Sequence, residues 1–127
     1  MLKNLVFVVV LMVYLCPCST FGEDVAKEKV TAEMYRKAAV NGDAKAQYNL
    51  GLCYYNGNGV NKDMEKAVEW YLKAAEQGHA EAQYALGQCY YYSSGVNKDI
   101  SKAVGWYRKA AEQGHAEAQM KLKSLGK

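Results

Sequence analysis

Small and apolar residues recur along this chain at helical spacing. Met64, Ala67, Val68, Tyr71, Ala74 and Ala75 fall at i, i+3, i+4 and i+7 steps, the mark of a helix with one buried face. Asp63 stands just before that stripe, where a carboxylate can accept from the unpaired N–H groups of a first turn. Gly78 stands just after it, where a left-handed residue ends a helix at little cost. Upstream, Ala46, Leu50, Gly51 and Tyr54 trace a second stripe and predict a second helix. The stretch between them, Asn56 to Asp63 (NGNGVNKD), is turn chemistry.

The same two stripes return further along. Ala44–His79 aligns with Ala80–His115 without a gap, and 26 of the 36 positions are identical. The register extends outward on both sides. Tyr35, Ala38, Ala39 and Gly42 precede Tyr71, Ala74, Ala75 and Gly78 by 36 residues, and Ala116, Ala118, Gln119 and Leu122 follow Ala80, Ala82, Gln83 and Leu86 by 36. The organisation is two full repeats (44–79 and 80–115) between half repeats (30–43 and 116–127), each full repeat holding two helices. Stacked helix pairs bury together a face that no pair buries alone. The predicted fold class is therefore all-α, an α/α superhelix or solenoid with flanking capping helices. Gly51 and Gly87 interrupt good helix formers at a cost of about 1 kcal/mol each relative to Ala. Paying that cost twice implies that a side chain there would hold neighbouring helices apart. At the far end, Lys121 and Lys123 replace Ala85 and Gly87, which makes the last helix a polar cap.

The string A-x-A-Q-Y-x-L-G-x-C-Y…G-V-x-K-D…K-A-V-x-W-Y-x-K-A-A-E-Q-G resembles the Sel-one-like repeat family, a branch of the tetratricopeptide-like helical solenoids. The resemblance spans about Tyr35 to Leu125. It implies a superhelix that serves as an adaptor, an assembly factor or a secreted interaction protein. It implies no shared enzyme activity. Some secreted bacterial members carry paired cysteines inside each repeat; this chain has one Cys per repeat and departs from that arrangement.

The first 22 residues read differently. Lys3 precedes an unbroken apolar run, Leu5 to Leu15, and CPCSTFG follows, the order of parts of a secretory signal peptide. The run is shorter than the roughly 18 apolar residues that a membrane-spanning helix needs. The expected division is a signal peptide at 1–22 and a repeat domain at 23–127, with a secreted or periplasmic product and no stable span after cleavage. Lipidation at Cys16 or Cys18 is disfavoured by bulky Leu15 and by Pro17.

Composition narrows the function classes. Hydrophobic residues make up 50% and charged residues 23%, enough for a packed core. The net charge of +3 is too mild to make nucleic acid an obligatory partner. A single Pro beside many Ala and Tyr again favours helices. The two histidines, His79 and His115, share one repeat position whose first copy is Asp43, so they read as N-caps and not as metal ligands. Cys53 and Cys89 are also repeat-equivalent. A helix-layer spacing of roughly 8–10 Å separates them, beyond the roughly 4.4–6.8 Å of a disulfide, so two buried thiols and no disulfide are expected. Trp70 and Trp106 read as interlayer packing, and the many lysines of the second helices as solvated faces. No catalytic residue, metal site or cofactor loop can be named.

Function is sought where the copies differ. Asn49 becomes Ala85, Leu52 becomes Gln88 and Asn56 becomes Tyr92. In tetratricopeptide-like solenoids the first helices line the concave face, and tyrosines are favoured at protein interfaces. The expected ligand-binding groove is Asn49, Leu52, Tyr55, Ala85, Gln88, Tyr91 and Tyr92. The leading reading is an exported scaffold that binds a protein or peptide there without catalysis. Two others stay open: a binder or hydrolase of a cell-wall, peptidoglycan-type ligand, and a small structural or immunity-type module.

Overall fold

The structure is a computed structural model that describes residues 32–127. The expected signal segment and the junction after it lie outside the described residues. Six helices follow one another, and no strand occurs among the described residues: α1 (32–40), α2 (Ala44–Asn56), α3 (Met64–Glu76), α4 (Ala80–Tyr92), α5 (Ile100–Glu112) and α6 (Ala116–Ser124). Helices α2 and α3 form one packed pair and α4 and α5 a second; α3 packs on α4, and α5 on α6. This is the stacked α/α solenoid that the repeat predicts.

Every described helix start after α1 is capped by the residue the repeat supplies. Asp43, Asp63 and Asp99 each accept from a backbone N–H three residues on, at 3.0, 3.1 and 3.0 Å. His79 and His115 do the same through Nδ1, accepting from Ala82 and Ala118 at 3.3 Å. The helix ends are equally regular, with Gly42, Gly78 and Gly114 in the left-handed region.

The core is narrow and built from small residues. Ala39, Ala46, Ala67, Ala74, Ala75 and Ala82 are buried together with Leu50, Leu86, Tyr71 and Cys89. Alanines let helix axes approach, and the tyrosine rings fill what remains. Gly51 shows why the interruption recurs. A Cβ there would lie 2.6 Å from the Tyr71 ring and 3.2 Å from the Ala67 carbonyl oxygen; at Gly87 the same atoms belong to Tyr107 and Ala103. α2 and α4 are therefore pressed onto the tyrosine of their partner helix.

A ladder of glutamines joins the layers. Gln47 and Gln83 are buried polar residues, and each is satisfied on both ends of its amide. Gln83 Nε2 donates to the Ala75 carbonyl of the preceding layer at 3.1 Å, and its Oε1 accepts from Gln113 Nε2 at 2.8 Å. Gln47 repeats this with Ala39 and Gln77, at 3.0 and 2.8 Å. Each repeat thus grips the helix end before it and is gripped by the helix end of its own second helix.

Candidate functional site

The inner faces of α2 and α4 enclose an open groove of about 470 Å3. Helix α2 supplies Tyr48, Leu52 and Tyr55, a stripe at i, i+4 and i+7. Helix α4 supplies Glu81, Tyr84, Ala85, Gln88, Cys89 and Tyr92. Tyr71 of α3 closes the floor, and Ser94, His115 and Glu117 complete the far wall.

The rings are held in place before any ligand arrives. Tyr48 packs on Tyr71 with ring centroids 5.8 Å apart and on His79 at 5.1 Å. Tyr84 stacks on His115 at 4.7 Å and receives a hydrogen bond from Gln88 Nε2 at 3.0 Å. The same imidazoles that cap α4 and α6 therefore brace the groove tyrosines. Burial pushes the Tyr71 phenol well above its usual range, and burial together with the Glu81 carboxylate raises that of Tyr48. Burial also raises the Cys89 thiol to about 11, so it stays protonated and a poor nucleophile at neutral pH. The full charges on the wall belong to Glu81 and Glu117, whose side chains are well exposed at the rim. The groove thus offers ring faces, neutral hydrogen-bonding groups and two carboxylates.

Five of the seven residues expected from sequence are brought together here: Leu52, Tyr55, Ala85, Gln88 and Tyr92. Asn49 and Tyr91 do not line the groove. Ala85 faces it from α4, while its counterpart Asn49 on α2 does not. Tyr91 lies by α6, where the Lys121 ammonium sits 4.0 Å from its ring centroid. Other repeat-equivalent pairs do share the groove: Tyr48 with Tyr84, Leu52 with Gln88, and Glu81 with Glu117.

Sequence reasoning missed Tyr48, Tyr84, Glu81 and Glu117. The tyrosines are identical in both copies and were passed over by a search for differences. Glu81 did carry that signal, because its counterpart in the first copy is Lys45. The second-helix lysines are also more than solvated charge. Lys73 and Lys109 each lie 4.3 Å over Trp70 and Trp106, covering half-buried indoles on the outer face. Cys53 and Cys89 are free, buried thiols. Among the described residues no cluster of His, Cys, Asp and Glu could hold a metal ion, and no helix is long and apolar enough to cross a membrane.

Comparison with known proteins gives the fold a lineage. The Sel1 repeat family matches residues 44–79 and 80–115, the boundaries of the two full repeats. A solved Sel1 repeat protein from Oxalobacter formigenes is 44% identical, with a TM-score of 0.70 over 71% of this chain and 68% of that one. The protein c5321, a protective antigen of uropathogenic Escherichia coli with the same repeat fold, is 42% identical with a TM-score of 0.70. That match covers 75% of this chain but 21% of c5321, so the chain spans about a fifth of that protein's length. The cysteine-rich protein B of Helicobacter pylori superposes with a TM-score of 0.66 over 79% of this chain and 90% of its own, at 24% identity, a likeness of fold alone. The DAP3-binding cell death enhancer 1 of Rattus norvegicus is 53% identical over 34 residues, 27% of this chain and 7% of that protein. Sel1-like repeats are helical scaffolds that commonly bind other proteins. The two matched repeats cover more than half of the sequence, and the chain is a member of the Sel1 repeat family.

Proposed function

We propose that this chain is an exported scaffold that binds a segment of another protein in the groove between α2 and α4, without catalysis. The observation that carries this is the groove itself: about 470 Å3, open, and walled by tyrosines of which Tyr48 is already braced by His79, and Tyr84 by His115 and Gln88. A preformed wall loses little side-chain entropy on binding, which favours affinity from a small surface. Tyrosine combines a broad apolar ring with a polar tip, the combination that dominates protein interfaces. The apolar run Leu5 to Leu15 after Lys3 supports export.

The test is capture of partners from the cell envelope and medium by the chain and by a Tyr55→Ala/Tyr92→Ala variant of equal helicity. A partner held by the first and lost by the second supports the groove. A partner held equally by both places binding elsewhere. Mass determination of the mature N-terminus tests export; a chain that retains Met1 to Gly22 inside the cell overturns it.

A further inference from the structure

We infer that the occupant of this groove is a Lys or Arg side chain presented by a segment of a partner protein. The inference rests on the groove being the binding surface and adds the chemistry of what enters it.

The first ground is charge. Among the lining residues the fully charged groups are the Glu81 and Glu117 carboxylates, and the Lys121 ammonium meets the groove's edge at the Tyr92 hydroxyl, 3.3 Å away. Tyr48, Tyr55 and Tyr84 present π faces and phenol oxygens beside the carboxylates. A cation gains from both, through the ring quadrupole and through charge-assisted hydrogen bonds. An acidic segment would be repelled at the rim. A wholly apolar one would strip water from the carboxylates and give nothing back.

The second ground is the chain's own use of the same position one layer on. Asn49, Ala85 and Lys121 are repeat-equivalent. Lys121 of α6 folds across the concave face, its ammonium 4.0 Å from the Tyr91 ring centroid and 5.2 Å from that of Tyr92. It also donates to the Tyr92 hydroxyl at 3.3 Å. The second notch of the concave face is thus occupied by an ammonium on tyrosines. One layer earlier the position is Ala85, a methyl group. Tyr55, the counterpart of Tyr91, lines the open groove and is left without an ammonium from the following helix. Where the chain supplies a lysine of its own, that ammonium rests on tyrosines; at Ala85 it supplies none, and the groove tyrosines and carboxylates stand open to a cation from outside.

The test is selection of a phage-displayed random dodecapeptide library on the purified chain, followed by affinity measurement of the enriched peptides by fluorescence anisotropy. The expected result is a Lys or Arg fixed at one register position. Replacing it by norleucine should weaken binding about tenfold, and Glu81→Gln/Glu117→Gln about fivefold, with a weaker effect at high salt. Glu69→Gln, on the exposed face of α3, should change nothing. Enriched peptides that lack a cation, or that bind Glu81→Gln/Glu117→Gln unchanged yet are lost with Tyr55→Ala/Tyr92→Ala, overturn this inference and leave the groove reading standing. No enrichment on a folded chain, or binding indifferent to all the groove variants, overturns both.

Discussion

Alanine at two glycines, each in the middle of a helix, should move stability in opposite directions. Gly105 in α5 has open space where a Cβ would go, with nothing within 4 Å. There the only terms are backbone entropy and helix propensity, and Gly105→Ala should stabilise by about 1 kcal/mol. Gly87 in α4 has the same propensity to gain, but its new Cβ would stand 2.7 Å from Cδ1 and Cε1 of Tyr107 and 3.2 Å from the Ala103 carbonyl oxygen. Carbon atoms rest at roughly 3.5–4.0 Å, so about 1 Å of separation must be found. Tyr107 is fully buried and cannot retreat. Helices α4 and α5 must part, at an overpacking cost of roughly 1–3 kcal/mol and with loosening of neighbouring contacts. After the propensity gain, Gly87→Ala should destabilise by up to about 2 kcal/mol. Thermal unfolding followed by circular dichroism at 222 nm reads both. A domain of this size shifts by roughly 4–8 °C per kcal/mol, so the two midpoints should diverge by about 4 °C or more on this scale. Trimming the ring in Gly87→Ala/Tyr107→Leu should make the pair non-additive in the direction of rescue. If Gly87→Ala raises the midpoint as Gly105→Ala does, the close approach of α4 to Tyr107 is wrong, and with it the account of why glycine recurs there.

Other perturbations follow from the same geometry. Gln83→Leu leaves the Ala75 carbonyl without its buried donor and the Gln113 amide without its acceptor, and should destabilise by about 2 kcal/mol, read from urea unfolding; Gln119→Leu, its exposed counterpart, should cost less than half of that. Ser93 takes a left-handed φ of 58° where the first repeat has Gly57, so Ser93→Gly should stabilise by about 0.5–1 kcal/mol, net of its hydrogen bond to the Val96 carbonyl. Burial raises the Cys89 thiol from 9.0 to about 11, so the unfolded chain releases this proton first. Stability is full below pH 9 and should fall as pH rises toward 11, with the raised Tyr71 and Tyr107 phenols acting in the same sense; urea midpoints at pH 8 and 10.5 measure it.

Much of this architecture was legible in the sequence because repetition separates what stacking requires from what it tolerates. Of the stripe Met64, Ala67, Val68, Tyr71, Ala74 and Ala75, every member but the partly exposed Met64 at the helix start is buried as the spacing predicts. The substitution of His for Asp at the N-cap marked both histidines correctly, since only a shared backbone role unites those side chains. What the pattern did not show was how two helices divide one groove. A one-dimensional alignment treats Tyr55 and Tyr91 as the same residue. In space the first faces the open notch and the second lies under Lys121. Nor could composition distinguish a lysine over an indole from one in water, because the stem decides that and the sequence records only the charge.

Lys121 brings these points together. Judged by substitution alone it is a solubilising residue at the end of a stack. Its side chain nonetheless lies on the concave face, in the row that begins with Asn49 and passes through Ala85. A solenoid repeats its scaffold, so an identical notch would recur at every layer and a ligand would have no reason to prefer one. A single long side chain from the following helix breaks that degeneracy. It lies over Tyr91 and Tyr92, while the groove between α2 and α4 stays open. The glutamine ladder and the glycine contacts recur because stacking needs them at each layer. At the proposed site the position is a small Ala85, and one layer on it is Lys121.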